Sequence, residues 1–281
     1  MPQINKITDN FGAEVSGLEL SKPMSQEDID LVKGLIDQYA VLIIKSGEAV
    51  DDESLTRFTS NFGEFHKSIT ANRMDMTRRL KGDVLSDISN VGKEGDILSR
   101  EDPRRIQQLA NLIWHTDNSF RKPAGLYTFL AARIVPPADG ETEFADTRAA
   151  YDSLSDEMKA KIADLQVEHS LAHSRFLVGT EKVFDAEEAK RFPATLQPLV
   201  RRQELTGRKA LYIGSHAWRV VGWNYEDSQA LLGELLEIST RPEFVFRHKW
   251  TVGDVAMWDN RVSLHRGLPF DDVNHRRDLR R

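Results

Sequence analysis

Two segments far apart in the chain carry side chains that could bind a metal ion. The first is Trp114-His115-Thr116-Asp117, and the second ends in His265. In an extended strand, residues two apart point to the same face, so His115 and Asp117 present an imidazole and a carboxylate side by side. Two histidines and one carboxylate make up the facial triad that binds Fe(II) and leaves positions open for substrate and O2. Either segment alone is also explained by a strand end with a polar tip or a buried structural histidine, so only the two together predict a metal site.

Arginines close to the second segment predict an anionic ligand. Arg276 and Arg277 follow His265, and Arg281 lies four residues beyond Arg277. A guanidinium is a planar, two-pronged donor that matches a carboxylate. Arg277 and Arg281 share a face if this segment is a strand. The alternative for each is a solvated arginine near a basic C-terminus.

The composition narrows the class of protein. The chain has 281 residues, of which 40% are hydrophobic and 29% charged, as in soluble globular proteins. It has no cysteine, which excludes disulfides and thiolate sites, so a metal must be bound by His, Asp or Glu. The net charge of −6 argues against a nucleic-acid or anionic-membrane surface. No apolar signal segment or membrane span is evident, so we expect a soluble cytoplasmic protein.

Two helices and a buried strand are predicted near the N-terminus. Ser25 starts a helix that has an apolar stripe at helical spacing. The members of this stripe are Ile29, Val32, Leu35 and Ile36. Residues 40–44 form an apolar run typical of a buried strand, and residues 52–62 a second helix that Gly63 ends. The polar stretch 64–108 is too long for an ordinary connection and predicts a substrate cover.

From residue 112 the pattern consists mostly of short strands with turn signals between them. Strands are predicted at 127–135, 142–145 and 167–176, and hairpins pair 199–202 with 210–214 and 244–250 with 255–258. Helices are predicted within 147–165, interrupted near 153–155, and at 227–238. Short strands with peripheral helices indicate a mainly β barrel or jelly roll, and we interpret residues 1–281 as one domain.

Several ordered motifs together resemble a known family. They are W-H-T-D-x-S-F from Trp114, G-x-T-E-F-x-D-x-R-x-A-Y-D from Gly140, G-D-x-x-M-W-D-N-R-x-x-x-H-R-G from Gly253 and the closing R-R-x-x-R-R. These motifs are similar to those of the Fe(II)/2-oxoglutarate dioxygenases of the taurine/2,4-D (TauD/TfdA) family, and most of all to its 2,4-dichlorophenoxyacetate (2,4-D) branch. The resemblance runs from Gly12 to Arg281. It implies a cupin-like double-stranded β-helix, the jelly roll, with helices packed outside.

The resemblance also implies a metal site and a co-substrate site. His115, Asp117 and His265 correspond to the Fe(II) ligands, with 2-oxoglutarate and O2 as co-substrates and ascorbate as an aid in vitro. Arg277 corresponds to the anchor of the distal 2-oxoglutarate carboxylate, and Thr142 to its hydroxyl partner. Arg277 lies one residue farther from His265 than expected, with the extra residue near 268–270. Arg276 is therefore an alternative candidate for the anchor of the distal carboxylate.

The substrate site implied by the resemblance takes a second carboxylate. Arg281 corresponds to the residue that binds it, with Lys67, Asn90 and His216 as further substrate contacts. The alternatives are that Lys67 and Asn90 are ordinary polar loop residues and that His216 is structural. We interpret another pair of histidines, His169 and His173, as structural, because no third ligand accompanies them.

The implied reaction is hydroxylation of the ether-linked carbon of a small anionic aryloxy acid such as 2,4-D. The hemiacetal product collapses to a phenol and glyoxylate, and the co-substrate leaves as succinate and CO2. Trp114 and Trp258 flank the triad and are expected to shield it from bulk water. Two alternatives stay open: a taurine-like sulfonate dioxygenase, and a non-catalytic sensor of metal or 2-oxo acid. The sequence predicts no nucleic-acid or membrane partner, and it leaves a homo-oligomer open.

Overall fold

The computed structural model describes residues 2–69, 78–180 and 186–281. Their strands are β1 (Gln3–Lys6), β2 (Ala13–Ser16), β3 (Val41–Lys45), β4 (Asp87–Ser89), β5 (Tyr127–Ile134), β6 (Thr142–Asp146), β7 (Gln166–His169), β8 (Thr195–Pro198), β9 (Val200–Arg202), β10 (Lys209–Leu211), β11 (Ala217–Val220), β12 (Val245–His248), β13 (Asp254–Asp259), β14 (Ser263–Gly267) and β15 (Asp278–Arg280). Their α-helices are α1 (Gln26–Tyr39), α2 (Asp52–Thr59), α3 (Pro103–Gln108), α4 (Thr147–Ser153), α5 (Asp156–Ile162), α6 (Leu171–Leu177), α7 (Ala186–Arg191) and α8 (Tyr225–Ser239).

A seven-stranded sheet and a three-stranded sheet form the frame of the molecule. The large sheet has the order β1-β2-β3-β13-β5-β15-β4, and the small sheet has the order β12-β6-β14. β13 pairs antiparallel with both β3 and β5, whereas β2 and β3 are parallel. Both sheets contribute to one buried cluster, which includes Val41, Ile43, Leu130, Phe144, Phe246, Ala256 and Trp258. The two sheets therefore pack face to face, as in the predicted jelly roll.

Helices α1 and α2 cover the outer face of the large sheet. The Ser25 hydroxyl caps α1 by accepting a hydrogen bond from the Asp28 backbone N–H at 3.1 Å. The predicted apolar stripe is buried, and it comprises Ile29, Val32, Leu35 and Ile36. From α2, Leu55 and Phe58 join the same cluster as Met257 of the sheet. The predictions of both helices are confirmed.

The other layer of helices packs against the small sheet. The predicted interruption near 153–155 is confirmed, because α4 ends at Ser153 and α5 begins at Asp156. Leu231 and Leu235 of α8 lie in one buried cluster with Leu264 of β14. The predicted pairing of 199–202 with 210–214 is also confirmed, since β9 and β10 are antiparallel.

The predicted hairpin between 244–250 and 255–258 is wrong. β12 pairs with β6 in the small sheet, whereas β13 pairs with β3 and β5 in the large one. The turn before β13 therefore carries the chain from one sheet to the other. Gly253, with φ +89°, is required there because a Cβ would lie 2.6 Å from the Glu48 carbonyl oxygen. Turn residues indicate where the chain reverses, but they do not indicate which strand it then pairs with.

The predicted strand at 167–176 is wrong in its second half. The strand β7 ends at His169, and α6 then runs from Leu171 with Ser170 as its cap. The stretch 64–108 is structured in part, because β4 joins the edge of the large sheet beside β15 and α3 follows. Its residues 70–77 lie outside the described part of the chain. Within the described residues, no helix is long and apolar enough to cross a membrane.

Candidate metal centre and its two pockets

The backbone brings the two predicted histidines together across an antiparallel bridge. The N–H of His115 donates to the carbonyl of His265 at 3.1 Å, and the reciprocal bond measures 2.9 Å. Residues directly opposite each other in such a pair place their side chains on the same face. Their ring centroids accordingly lie 4.1 Å apart. This bridge explains how two residues far apart in sequence share one site.

Asp117 completes the cluster that the sequence predicts. One oxygen of its carboxylate lies 3.9 Å from His115 Nε2, and the other lies 3.5 Å from His265 Nε2. One donor atom from each of the three residues falls within 4.8 Å of the others, and all three residues are buried. The arrangement has the donor types and spacing of a metal site with two imidazoles and one carboxylate.

The protonation and hydrogen bonding of these residues suit a metal ion. His115 Nδ1 lies 2.8 Å from the Ile113 carbonyl, so it carries the proton and leaves Nε2 free towards Asp117. Burial lowers the pKa of His115 and of His265, which favours the neutral imidazole that binds metals. Asp117 Oδ2 is buried without a hydrogen-bond partner among the described residues. A buried carboxylate oxygen without a donor is costly, and a bound cation would satisfy it.

Arg281 keeps the Asp117 carboxylate ionised. Burial alone would raise the pKa of Asp117, but the charge of Arg281, together with the neighbouring histidines, outweighs burial and holds this pKa below its usual range. Arg281 donates from Nη1 to Asp117 Oδ1 at 2.9 Å. Oδ1 of this carboxylate is therefore bonded to Arg281 and lies near His115, whereas Oδ2 faces His265.

Asn260 bonds to four other residues around the candidate centre, and this role was not predicted from the sequence. Its Oδ1 accepts hydrogen bonds from Trp258 Nε1 at 3.0 Å and from the backbone N–H of Asp117 at 3.1 Å. Its Nδ2 donates to the Thr128 hydroxyl at 2.9 Å, and its backbone carbonyl accepts from the Thr116 hydroxyl at 2.6 Å. Asn260 thus fixes the segment that carries Asp117. The only signal for it in the sequence was its place in the W-D-N-R motif.

Buried rings and one glycine shape the surroundings of the histidines. Trp258 is almost fully buried, and its ring centroid lies 4.5 Å from that of His265, as expected of a residue that shields the site. Trp114 is half-buried and lies under the guanidinium of Arg266 at 4.7 Å. Gly214 has φ +115°, and a Cβ there would lie 3.0 Å from the Cα of His115. A side chain at Gly214 would therefore displace the histidine strand.

One pocket beside the centre, here called the Arg277 pocket, contains an arginine without a carboxylate partner among the described residues. Its lining includes Thr142, His265, Trp258, Leu130 and Arg277. Arg277 is half-buried as a residue, but its Nε is sealed from solvent and has no hydrogen-bond partner among the described residues. Burial lowers the pKa of Arg277 to about 10, and no carboxylate in the described chain offsets this. The guanidinium is still a cation at neutral pH, so the pocket is suited to an anionic ligand.

The other residues predicted for the 2-oxoglutarate site or its surroundings differ in whether they can bind a ligand in this pocket. The Thr142 hydroxyl accepts a hydrogen bond from Trp250 Nε1 at 3.0 Å, which leaves its own proton to donate into the pocket. Arg276, the competitor of Arg277, is exposed and directs Nη1 towards the Gly95 carbonyl at 3.4 Å. Asn90 lines the pocket, but its amide group bonds to backbone groups.

A second pocket, here called the His216 pocket, adjoins the centre from the side of Asp117. Its lining includes His115, Asp117, Phe120, Leu171, Arg175, His216 and Arg281. The ring of His216 is buried 4.8 Å from that of Phe120, and burial lowers its pKa well below the usual value, so it is neutral. Arg175 is buried and donates to the Gln107 carbonyl at 2.8 Å. No role was predicted for Phe120 or Arg175 from the sequence, although Phe120 is the last residue of the W-H-T-D-x-S-F motif.

Lys67 and the remaining histidines lie apart from the centre. Lys67 Nζ contacts Asp83 at 2.8 Å on a side chain that is 76% exposed, and it lines a third cavity rather than either pocket. His169 is fully buried and stacks on Tyr212 at 5.2 Å. His173 lies on α6 and, like His169, is outside the metal-binding cluster of the described residues.

Comparisons with known proteins agree with this geometry. The family model described as "Taurine catabolism dioxygenase TauD, TfdA family" matches residues 3–281. The chain is 39% identical over 272 residues to the alpha-ketoglutarate-dependent 2,4-dichlorophenoxyacetate dioxygenase of Burkholderia sp. (strain RASC), covering 96% of this chain and 90% of that one. It is also 39% identical over 280 residues to the protein of that name from Cupriavidus pinatubonensis, covering 99% of this chain and 95% of the other. Among solved structures, AAD-2 in complex with Mn(II) and N-oxalylglycine superposes with a TM-score of 0.89 and 38% identity, covering 100% of this chain and 95% of AAD-2.

Proposed function

Because this chain belongs to the TauD/TfdA family of 2-oxoglutarate-dependent dioxygenases, we propose that it hydroxylates the ether-linked carbon of aryloxyacetates such as 2,4-D. The hydroxylated carbon then bears the aryl ether, and the hemiacetal collapses to a phenol and glyoxylate. The co-substrate is converted to succinate and CO2. The observation that carries this proposal is the position of the triad between two pockets. One is lined by Arg277, whose Nε has no hydrogen-bond partner among the described residues, the other is lined by His216, and Arg281 borders both. Each pocket would bind one of the two acids, 2-oxoglutarate or the aryloxyacetate.

His115, Asp117 and His265 are the proposed ligands of Fe(II). The neutral imidazoles, and an Asp117 oxygen that has no hydrogen-bond partner in the described part of the chain, support this assignment. When bound, Fe(II) supplies the redox chemistry that couples O2 and the decarboxylation of 2-oxoglutarate to hydroxylation, with ascorbate as an accessory reductant in vitro. The protein residues contribute orientation, charge and exclusion of water, and no side chain is required as a general acid or base.

Arg277 and Thr142 are the proposed binding groups for the distal carboxylate of 2-oxoglutarate. The guanidinium would form the two-pronged contact, and the Thr142 hydroxyl would donate a further hydrogen bond. Because His265 lines the same pocket, a ligand held at Arg277 extends towards the metal centre. The co-substrate would thus be oriented with its 2-oxo acid end at the triad.

Arg281 is the proposed binding group for the carboxylate of the aryloxyacetate. It lies 2.9 Å from the carboxylate of Asp117, so an acid bound to it is held beside the triad. His216, Phe120 and Leu171 would then contact the aryl ring. Fixing the carboxylate holds the adjacent carbon, the one between carboxylate and ether oxygen, close to the reacting centre. Lys67 and Asn90 were predicted as further substrate contacts, but the Lys67 amine is paired with Asp83 and the Asn90 amide bonds to backbone groups.

A sulfonate is the second candidate for the primary substrate. Arg175 and Arg281 both line the His216 pocket, and a tetrahedral anion could bind two arginines as readily as a carboxylate binds one. The reaction would then release sulfite and an aldehyde. A non-catalytic sensor is the third candidate, and it predicts binding of 2-oxoglutarate without consumption of O2.

Oxygen uptake separates these three functions. We expect slow uptake by the Fe(II) protein with 2-oxoglutarate alone and fast uptake when 2,4-D is added, with phenol, glyoxylate and succinate formed together. Stimulation by taurine with release of sulfite would instead support the sulfonate function. No uptake with either substrate, together with binding of 2-oxoglutarate, would support the sensor. His265→Ala provides the matched inactive control.

A further inference from the structure

Asn90 lies where the edge strand β4 parts from its neighbour β15. The last regular pair of these strands joins Ser89 to Asp278. One residue further, the N–H of Asn90 donates to the carbonyl of Arg277 at 3.2 Å, which continues the ladder. The backbone carbonyl of Asn90 does not return this bond, because it accepts from Leu98 N–H at 2.9 Å. The Asn90 side chain takes its place, since Oδ1 accepts from the Arg277 N–H at 2.8 Å.

The amino group of the same side chain fixes the loop that precedes Arg277. Asn90 Nδ2 donates to the carbonyls of Asp272 and His275 at 2.9 and 2.8 Å. An amide offers two N–H donors and one carbonyl acceptor, and all three groups are used here on one loop. Flipping the amide would place its oxygen against two carbonyl oxygens, so the hydrogen bonds determine its orientation. Asn90 is 5% exposed, and its polar atoms are committed to the loop rather than to the pocket it lines.

The loop is held from a second side through Asp272. Its carboxylate accepts hydrogen bonds from Arg105 and from Arg100, the latter at 3.1 Å. Arg105 in turn donates to the carbonyl of Leu98, which is also the residue that bonds the Asn90 carbonyl. The segment from β4 to α3 thus surrounds the loop between β14 and β15. This is the loop in which the sequence shows one residue more than expected.

We propose that Asn90 is a positioning residue for Arg277 and that it thereby sets the selectivity for a 2-oxo acid with a distal carboxylate. It contacts neither substrate in this proposal. The inference rests on the proposed role of Arg277. A two-pronged guanidinium–carboxylate contact depends on direction as well as distance. Release of the Arg277 backbone would therefore weaken the bond to the distal carboxylate and leave the rest of the co-substrate site unaffected.

The experiment compares two ligands that differ in the distal carboxylate, 2-oxoglutarate and 2-oxobutyrate. Calorimetry on the Mn(II)-loaded protein, which does not turn over, gives the Kd for each ligand. We expect Asn90→Ala to raise the Kd for 2-oxoglutarate by roughly 10-fold and to leave the Kd for 2-oxobutyrate unchanged. Asn90→Asp keeps the shape of the side chain but sets a carboxylate oxygen against two carbonyl oxygens, so we expect it also to weaken 2-oxoglutarate binding. This variant tests the role of Asn90 if Asn90→Ala does not fold.

Two controls separate positioning from direct contact. Asn274→Ala removes an exposed amide of the same loop that, among the described residues, donates only to the Asp271 carboxylate, and it should change neither Kd. In the Arg277→Ala background, Asn90→Ala should have no further effect, because it acts through Arg277. An additive loss in the double variant would mean that Asn90 touches the ligand and would overturn the proposal.

The outcomes also separate this inference from the proposed function. If wild-type protein binds 2-oxoglutarate no better than 2-oxobutyrate, the role of Arg277 fails and this inference fails with it. If wild-type protein discriminates and both Asn90 variants keep the full preference, only the role of Asn90 is overturned.

Discussion

Arg277 and Arg281 lie at opposite ends of β15, and their side chains have contrasting surroundings. Arg277 faces its pocket without a carboxylate partner among the described residues. Arg281 already donates to Asp117 at 2.9 Å. A cation that is shielded from solvent without a counter-ion is costly, and an anionic ligand would supply the missing charge. A paired cation has no such need of a ligand, and an incoming acid must share it with Asp117.

The backbones of the two arginines do not explain this difference. The N–H and carbonyl of Arg281 bond to the carbonyl and N–H of Ser86 at 3.0 and 2.8 Å. Arg277 is bonded on both sides to Asn90. Both arginines are therefore fixed by the chain around β4, and they differ in what their guanidinium groups meet. The Arg277 Nε has no hydrogen-bond partner among the described residues, whereas the Arg281 guanidinium contacts the Asp117 carboxylate of the candidate metal centre.

The largest effect is expected at the centre that both sides share. His115→Ala, Asp117→Ala and His265→Ala should each abolish turnover and leave the circular dichroism unchanged, because all three side chains would bind one ion. Anaerobic absorbance of the Fe(II)/2-oxoglutarate complex measures the loss directly. His275→Ala is the matched control, since this histidine is exposed outside the cluster. Normal activity in any one of the three variants would remove that residue from the ligand set.

The next largest effect is expected on the Arg277 side. Arg277→Ala should raise the KM for the co-substrate 2-oxoglutarate far more than the KM for the aryloxyacetate. Truncating one partner of a buried charged pair costs about 2–5 kcal/mol, which corresponds to roughly 30-fold or more in affinity. Arg276→Ala should leave both KM values unchanged, since Arg276 is exposed. The opposite ranking of the two variants would place the anchor at Arg276.

A smaller and different effect is expected on the Arg281 side. Arg281→Ala should raise the aryloxyacetate KM and leave 2-oxoglutarate binding nearly unchanged. The loss should be smaller than at Arg277, because Arg281 is half-buried and shares its charge with Asp117. Poor placement of the substrate should also uncouple the reaction, so the ratio of succinate to phenol rises. A wild-type ratio and KM in this variant would place the substrate carboxylate elsewhere, with His216 as the leading alternative.

Local signals in the sequence predicted much of the frame and the content of the centre. The cap at Ser25 and the stripe that follows it depend on residues within four positions of each other, and the structure contains both. The cluster of His115, Asp117 and His265 was predicted because two of the ordered motifs contain these three residues. The choice between Arg276 and Arg277 was left open, because alternation places the two on opposite faces without indicating which face is inside.

Long-range pairing explains most of what the sequence did not predict. The partners of β12 and β13 are distant strands in different sheets, and no turn signal specifies them. The position of Asn260 depends on Trp258, Asp117 and Thr128, which only the folded chain brings together. Asn90 was predicted as a substrate contact from the family resemblance, whereas its side-chain hydrogen bonds in the structure go to the Arg277 loop.

The smallest effect is expected for Lys67, which the sequence placed with Arg281 as a substrate contact. Its side chain is 76% exposed, and Nζ lies 2.8 Å from Asp83. The hydrogen bond and charge of Asp83 raise the pKa of Lys67, so the amine is charged but already paired. Exposed ion pairs contribute little, and Lys67→Ala should leave the aryloxyacetate KM within about twofold of wild type. Steady-state kinetics beside Arg281→Ala measures the difference.

Asp83→Asn tests whether Lys67 can act on the substrate at all. This change keeps the shape of the side chain and removes the charge that holds Lys67, so the amine becomes free to turn towards the cavity that also borders Arg281. A direct role predicts a lower aryloxyacetate KM in Asp83→Asn, and the gain should vanish when Lys67→Ala is added. No change in either variant would leave Arg281 as the cation that binds the substrate. The aryloxyacetate KM could instead rise as much in Lys67→Ala as in Arg281→Ala. A cation outside both pockets would then bind the substrate as strongly as the one beside Asp117, and this result would contradict the contrast between the two ends of β15.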